Sequence, residues 1–271
     1  MPPQIKVIAT DLDGTLLRSD GTLSLRTIAA LRAASGAGLQ IAIATARPMR
    51  ALQPVLQDEA FGGWGVCQNG AVVYELASYE RVLAWEMERV IAARIVADLR
   101  RAVGGVAFAI EMDDLFHCEP HFESGLQALE PPEVRYGDAL ELIRGPLTKL
   151  LAHHPSFAAH ELASAAADIV GADGVVTHSG ARFIEISASG VTKAFAVSAL
   201  CERLGVEASE VVAFGDMPND LAMMRWAGHS VAVANAHPDV RACASAITAS
   251  NDDDGVASVI ERLVELGGFT A

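Results

Sequence analysis

Lys6-Val7-Ile8-Ala9-Thr10-Asp11-Leu12-Asp13-Gly14-Thr15-Leu16-Leu17 is the stretch on which the fold turns: a short apolar run that opens abruptly into two carboxylates and a glycine. Val7, Ile8 and Ala9 read as a strand buried on both faces, and Gly14 ends it with backbone angles that residues bearing a Cβ resist. Asp11 and Asp13 then stand at the strand's carboxyl end, the edge at which open parallel sheets place their ligands. On extended backbone, residues two apart project to one side, so the two acids share a small volume while Leu12 turns into the core. Such closeness calls for a shared cation or proton. A hard divalent ion such as Mg2+, its oxygen ligands completed by a bound phosphate, would satisfy it; alternatively one carboxylate attacks while the other carries the proton. Taken alone, Asp-x-Asp reads as an acidic surface turn, and the rest of the chain changes that reading.

The chain has 271 residues, 51% of them hydrophobic, enough for one large domain or two modest ones, and two are expected. A formal charge of −14 argues against nucleic acid or an anionic membrane surface as partner, because phosphate backbones reward Lys and Arg clusters. Met1-Pro2-Pro3-Gln4 leads straight into the first strand, so no secretory leader is expected, and no apolar run is long enough to span a bilayer. Cys67, Cys118, Cys201 and Cys243 are scattered and read as free thiols in a reducing cytoplasm. His117-Cys118-Glu119-Pro120-His121 has metal-ligand chemistry but no second pair at zinc spacing, and Pro120 breaks any helix that could align the histidines.

Ser24 can cap a helix to about Ser35, Gln40–Ala44 is a second buried strand, and Pro48 suits the first turn of a helix reaching about Asp58. This alternation predicts a parallel sheet with right-handed crossovers. Trp64–Cys67 and Ala71–Tyr74 flank the turn pair Asn69-Gly70, and Val82–Glu86 is expected to return as a hairpin. From about Glu88 the pattern changes. A helix (Glu88–Val103) precedes strands Val106–Glu111 and Leu115–Cys118 and a stretch interrupted by Pro131-Pro132; strand Leu147–Ala152, helix Ser156–Ile169 and strands Val175–His178 and Arg182–Ile186 follow. Helices with hairpins suggest an α+β module over an antiparallel sheet, inserted because the first pattern then resumes. The resumed part carries a helix opened by Gly190-Val191-Thr192-Lys193, strand Val211–Phe214 ending in Gly215-Asp216-Met217-Pro218-Asn219-Asp220, and alternating short helices and strands to Leu266. The expected domains are therefore a core of residues 1–87 and 188–271 and an inserted cap of residues 88–187.

Three strands thus end in polar residues: Asp11 and Asp13; Thr45; and Asp216, Asn219 and Asp220, with Lys193 at a helix start. Asp11 is suited to attack phosphorus, and Asp13 to protonate the leaving oxygen and then activate water. Asp216 with Asp11 can hold Mg2+. Lys193 and the Thr45 hydroxyl can grip phosphoryl oxygens, and Asn219 and Asp220 would orient Lys193 or a metal-bound water. Thr45 could equally cap the next helix, and Arg47 reads as a solvated helix residue or a salt-bridge partner. In the insertion Glu111, Asp113, Asp114, His117, His178 and Arg182 could meet a substrate, and Arg182 is singled out because its fork suits anionic or polar groups.

In order, Asp11-Leu12-Asp13-Gly14-Thr15-Leu16-Leu17, Thr45-Ala46-Arg47, Lys193 and Gly215-Asp216-Met217-Pro218-Asn219-Asp220 resemble the four motifs of the haloacid dehalogenase-like hydrolases. The likeness is closest to the Cof-type phosphatases, whose cap lies between the second and third motifs. Gln68-Asn69-Gly70-Ala71 and Asn251-Asp252-Asp253-Asp254-Gly255-Val256-Ala257 share it. The resemblance implies an α/β protein with a Rossmann-like parallel-sheet core and an inserted α+β cap. It also implies Mg2+ and hydrolysis of a small phosphorylated metabolite, with Thr45, Ala46, Lys193 and Asn219 around the phosphate and the Asp13 carbonyl as a further metal ligand. Ala46 and Ala194 stand where glycine is common, and Val233-Ala234-Asn235-Ala236 lacks a frequent glycine; each swap adds a methyl near the phosphate. A phosphomutase of the same fold and a non-catalytic phosphometabolite-binding regulator are the alternatives. The second acid, Asp13, has no use in a mere binder.

Overall fold

Apolar runs too short for helices and bounded by Gly and polar residues become the central strands of an eight-stranded sheet in a computed structural model of the chain, which describes residues 4–56, 62–112, 115–122 and 134–266. The first part runs β1 (Val7–Thr10), α1 (Leu25–Gly36), β2 (Gln40–Ala44), α2 (Met49–Leu56), β3 (Trp64–Cys67), β4 (Val72–Glu75) and β5 (Arg81–Ala84). The second part of the chain forms α3 (Arg89–Ala102), β6 (Ala107–Met112), β7 (Leu115–Cys118), β8 (Val134–Tyr136), α4 (Ala139–Leu142), β9 (Lys149–His153), α5 (Ala159–Val170), β10 (Gly174–Thr177) and β11 (Ile184–Ala188). It closes with α6 (Lys193–Leu204), β12 (Val211–Gly215), α7 (Leu221–Trp226), β13 (His229–Ala232), α8 (Pro238–Cys243), β14 (Ala246–Ile247) and α9 (Gly255–Leu266). Residues 1–83 with 193–271 make one compact unit and residues 84–192 another.

The strand order of the first unit is β14-β13-β12-β1-β2-β3-β4-β5. From β14 to β3 every pairing is parallel, and β4 turns back antiparallel on β3. The chain leaves β1 toward β2 and β3 and later returns on the other side through β12, β13 and β14, so β1 and β12 meet where the winding reverses. That switch point is where a doubly wound sheet opens a crevice at its strand ends. Every residue of β1 and β12 is buried, as expected of strands covered on both faces. At β1's end the chain makes one widened turn over Leu12–Leu16, closed by Leu17 N–H donating to Leu12 O at 2.8 Å. Gly14 in it has φ +78°, and a Cβ there would lie 2.5 Å from Asp216 Oδ2, so two separate constraints demand glycine.

The other unit is a six-stranded sheet in the order β10-β11-β9-β6-β7-β8. Phe108, Ile110, Leu150, Ala152, Ile184 and Ile186 face α3, α4 and α5, which supply Leu99, Leu142 and Leu162 to the same core. The opposite face carries Leu151, Phe116 and Phe183 and a buried ion cluster, with Lys149 Nζ 2.9 Å from Glu185 Oε1 and 3.4 Å from Glu111 Oε2.

Several expectations shift here. The antiparallel pattern is incomplete, because β8 joins β7 in parallel. The helix expected from Ser156 starts at Ala159, where Glu161 accepts from the Ala158 N–H at 2.8 Å. The expected strand Arg182–Ile186 begins at Ile184, which leaves Arg182 exposed in the bend before it. Asp113, Asp114 and Pro131-Pro132 lie outside the described residues. Among the described residues no helix is long and apolar enough to cross a membrane, and all four cysteines are free thiols.

Candidate active site

The ends of β1, β2 and β12, adjacent in the first unit's sheet, deliver Asp11, Thr45 and Asp216 to one edge. Lys193 joins them as the first residue of α6, its side chain entirely withdrawn from solvent. Its ammonium forms an ion pair with Asp11 Oδ1 and lies 2.7 Å from Asp220 Oδ1. Asp220 is fully buried, and its Oδ2 accepts from the backbone N–H groups of Asp216 and Met217, each at 3.0 Å. That bracket folds the Gly215–Asp220 loop back on itself and forbids a side chain at Gly215, whose Cβ would meet Asp220 Cβ at 2.5 Å. Asp216 is steadied by Thr15, whose hydroxyl donates to Oδ1 at 2.9 Å.

Among the described residues Asp11, Asp216 and Asp220 are the one group of three that can offer ligand atoms within 4.8 Å of one another. His117, Cys118, Glu119 and His121 make no such group; Glu119 instead accepts from Phe108 N–H at 2.9 Å and Ala139 N–H at 3.0 Å. Three carboxylates against one ammonium leave a surplus negative charge in a buried volume. Burial raises Asp11 well above the ordinary carboxylate range, the Lys193 ammonium pulling it down and Asp220 and Asp216 pushing it further up. Burial and then Asp220 push Asp216 up to about 6, against the Thr15 hydrogen bond. Burial works against the Lys193 ammonium, yet the charges of Asp11 and Asp220 outweigh it and hold its pKa above the usual lysine value. An oxygen-only donor set short of positive charge fits a hard divalent cation such as Mg2+. Asp220 has both oxygens committed, so of the three it is Asp11 and Asp216 that could hold such a cation.

Asp13 stands apart from that cluster. Its side chain is 52% exposed, and Arg47 grips it with both prongs, Nε to Oδ2 at 2.8 Å and Nη2 to Oδ1 at 2.5 Å. Arg47 is thus a salt-bridge partner rather than a solvated helix residue. Thr45 is completely buried, and its Oγ1 accepts from the Arg47 N–H at 3.1 Å; this closes a turn within the loop after β2 and is not the expected helix cap, because α2 begins only at Met49, and the hydroxyl proton can still be donated. Ala46, between them, is half-buried. Asn219 is buried and donates through Nδ2 to Asn69 Oδ1 at 3.1 Å. Asn235, in the stretch that lacks a glycine, donates to Gly14 O at 2.7 Å and accepts from Asn251 N–H at 3.0 Å, while Asn251 Nδ2 donates to Leu17 O at 2.9 Å. Two distant loops therefore fix the turn that carries Asp13. Thr15, Asn69 and Asn235 escaped the sequence reading as site residues. Thr15 had a signal, since it stands two residues beyond Asp13 in the same turn.

With this geometry in hand, residues 8–260 match the family described as haloacid dehalogenase-like hydrolase. The chain is 28% identical over 271 aligned residues to the 5-amino-6-(5-phospho-D-ribitylamino)uracil phosphatase YitU of Bacillus subtilis strain 168, covering 96% of this chain and 98% of that protein. A solved structure from Streptococcus mutans UA159 superposes with a TM-score of 0.87 at 26% identity, over 96% of this chain and 99% of that one. A haloacid dehalogenase-like hydrolase from Bacteroides thetaiotaomicron gives 0.79 at 28% identity, over 96% and 100%.

Proposed function

The chain belongs to the haloacid dehalogenase-like hydrolases, and from that premise we propose that it is a Mg2+-dependent phosphatase that hydrolyses small phosphorylated metabolites through a phosphorylated Asp11. The observation that carries this reading is the buried Lys193 ammonium shared between Asp11 and Asp220 beside Asp216. A structural ion pair has no need of three carboxylates around one lysine, whereas phosphoryl transfer needs a nucleophilic oxygen and balanced charge in one place.

In the proposed sequence an oxygen of Asp11 attacks phosphorus while the bond from phosphorus to the leaving oxygen breaks, and Asp13 gives that oxygen its proton. Asp13, now a carboxylate, takes a proton from water; the water oxygen bonds to phosphorus, the bond to Asp11 breaks, and inorganic phosphate leaves. Mg2+ held by Asp11 and Asp216, with the Asp13 carbonyl as a further ligand, would neutralise charge so that an anionic nucleophile can approach an anionic phosphoryl group. Lys193, oriented by Asp220, and the Thr45 hydroxyl bind phosphoryl oxygens, together with the Asn219 amide and the chain at Ala46. Arg47 orients the Asp13 carboxylate.

The substrate class follows from the relatives: YitU is named for a phosphorylated ribitylaminouracil, a small metabolite phosphate. Arg182, exposed in the bend before β11, is the inserted unit's candidate for contact with the remainder of the substrate. The formal charge of −14 and the free thiols agree with a small-molecule partner and a reducing cytoplasm.

The test is phosphate release from a panel holding the ribitylaminouracil phosphate, sugar phosphates, pyridoxal phosphate and nucleotides, with and without Mg2+, beside Asp11→Asn. The reading predicts release that requires both Mg2+ and Asp11. Release that survives either omission would refute it, and binding of the panel without turnover would favour a regulator.

A further inference from the structure

Gln68-Asn69-Gly70 is a tight turn between β3 and β4 in which Gln68 and Asn69 both adopt left-handed backbone angles, φ +53° and +57°. Asparagine tolerates that conformation better than most residues bearing a Cβ. Its backbone N–H donates to Thr45 O at 3.0 Å, and the N–H of Gln68 donates to Arg47 O at 3.0 Å, so the turn is riveted to the loop after β2. The Asn69 side chain then reaches the third loop of the site, accepting at Oδ1 from Asn219 Nδ2. Both amides are at least nine-tenths buried. Among the described residues Asn69 Nδ2 and Asn219 Oδ1 nonetheless meet no hydrogen-bond partner. Buried polar atoms left this way are costly, and at a site they mark where a ligand belongs.

An amide presents a donor at one end and an acceptor at the other, in nearly the same shape. The pair can therefore join in two ways. In one, Asn219 donates to Asn69 and its own free end is a carbonyl oxygen. With both amides turned over, Asn69 donates through Nδ2 to Asn219 Oδ1, and the free end of Asn219 is an NH2. A phosphoryl group offers only acceptor oxygens, so it selects the second arrangement. We propose that Asn69 is a positioning residue of the phosphate site, which holds the Asn219 amide so that its NH2 end faces the phosphoryl group. The inference rests on the reading of Asn219 as a phosphate contact in the proposed phosphatase.

Asn69→Gly keeps the left-handed turn while removing the amide. Asn69→Asp keeps size and turn but offers only acceptors, so it holds Asn219 in the wrong orientation. Steady-state kinetics and inorganic-phosphate inhibition are measured for wild type, Asn69→Gly, Asn69→Asp, Asn219→Ala and the Asn69→Gly/Asn219→Ala double variant, with melting curves to show that each folds. The expected result is a rise of about tenfold in KM and in the phosphate inhibition constant for Asn69→Gly, a larger rise for Asn69→Asp, and no further rise when Asn69→Gly is added to Asn219→Ala. A turn residue acting only on the fold would change the melting curve and add its effect to that of Asn219→Ala. Unchanged KM in the Asn69 variants, or additive effects in the double variant, overturns the inference while leaving an active wild-type phosphatase intact. Wild-type protein that neither turns over the panel nor binds inorganic phosphate removes the phosphatase reading and this inference with it. Should Asn69→Gly not fold, Asn69→Asp carries the same comparison, in the Asn219→Ala background as well.

Discussion

Asp216→Asn should make the metal-free protein more stable at neutral pH, by an amount that vanishes in acid. In the folded state burial and the Asp220 charge raise the Asp216 carboxyl from the ordinary 3.8 to about 6. Below 3.8 both the folded and the unfolded chain hold the proton, and the group is neutral in its effect. As pH climbs from there the unfolded chain ionises while the folded one cannot, so folding loses stability up to the folded value and no more beyond it. The loss reaches about 3 kcal/mol, from 1.36 kcal/mol per pH unit of displacement. Asparagine carries no such charge and keeps an oxygen for the Thr15 hydroxyl, which donates to Asp216 Oδ1 at 2.9 Å. Wild type and variant should therefore agree near pH 4 in EDTA and separate by about 3 kcal/mol by pH 7, or about 6–12 °C in the melting temperature of a unit of this size. Urea melts across pH 4–7.5 measure it. Mg2+ should restore wild-type stability at pH 7.5 but not at pH 5, and should do nothing for the variant. A variant less stable than wild type in EDTA at pH 7.5, or a difference that does not change with pH, would refute the electrostatic account.

Lys193→Met leaves Asp11 and Asp220 facing each other without their shared cation; a loss of about 3–5 kcal/mol in urea melts at pH 7.5, easing as pH falls and Asp11 takes up its proton, is expected along with loss of turnover. Arg47→Lys keeps the charge but not the two-pronged hold on Asp13, and should lower kcat by about tenfold, within the factor of about 10²–10⁴ expected for Asp13→Asn; stopped-flow turnover compares the two. Gly14→Ala places a methyl 2.5 Å from Asp216 Oδ2 at φ +78°, and should cost more than about 1 kcal/mol and weaken Mg2+ binding measured by calorimetry.

What could be read from the residues was the part written locally. Val7–Ala9, Gln40–Ala44 and Val211–Phe214 are unbroken apolar runs that stop at polar residues, and in a parallel sheet such runs end together at one edge. The partners of those polar residues were not local. Arg47 meets Asp13 across 34 residues, and Asn69 meets Asn219 across 150. Nothing in the side chain of an arginine next to a proline, or of an asparagine in a turn, says which distant loop it will face. β8 and α4 were missed for another reason. Val134–Tyr136 is short and largely exposed, and Ala139–Leu142 is a single turn started by Asp138, whose carboxylate accepts from Leu140 N–H at 2.9 Å. Neither is long enough to display a period.

The measurement that tests the central claim most directly is acid-quench mass spectrometry of the enzyme during turnover of its best panel substrate with Mg2+, followed by borohydride reduction. The account predicts one phosphoryl group on the peptide carrying Asp11, its appearance and decay matching the turnover rate, and conversion of residue 11 alone to the reduced alcohol. Turnover at full rate with residue 11 never modified, or a phosphoryl group trapped on another residue, would contradict it.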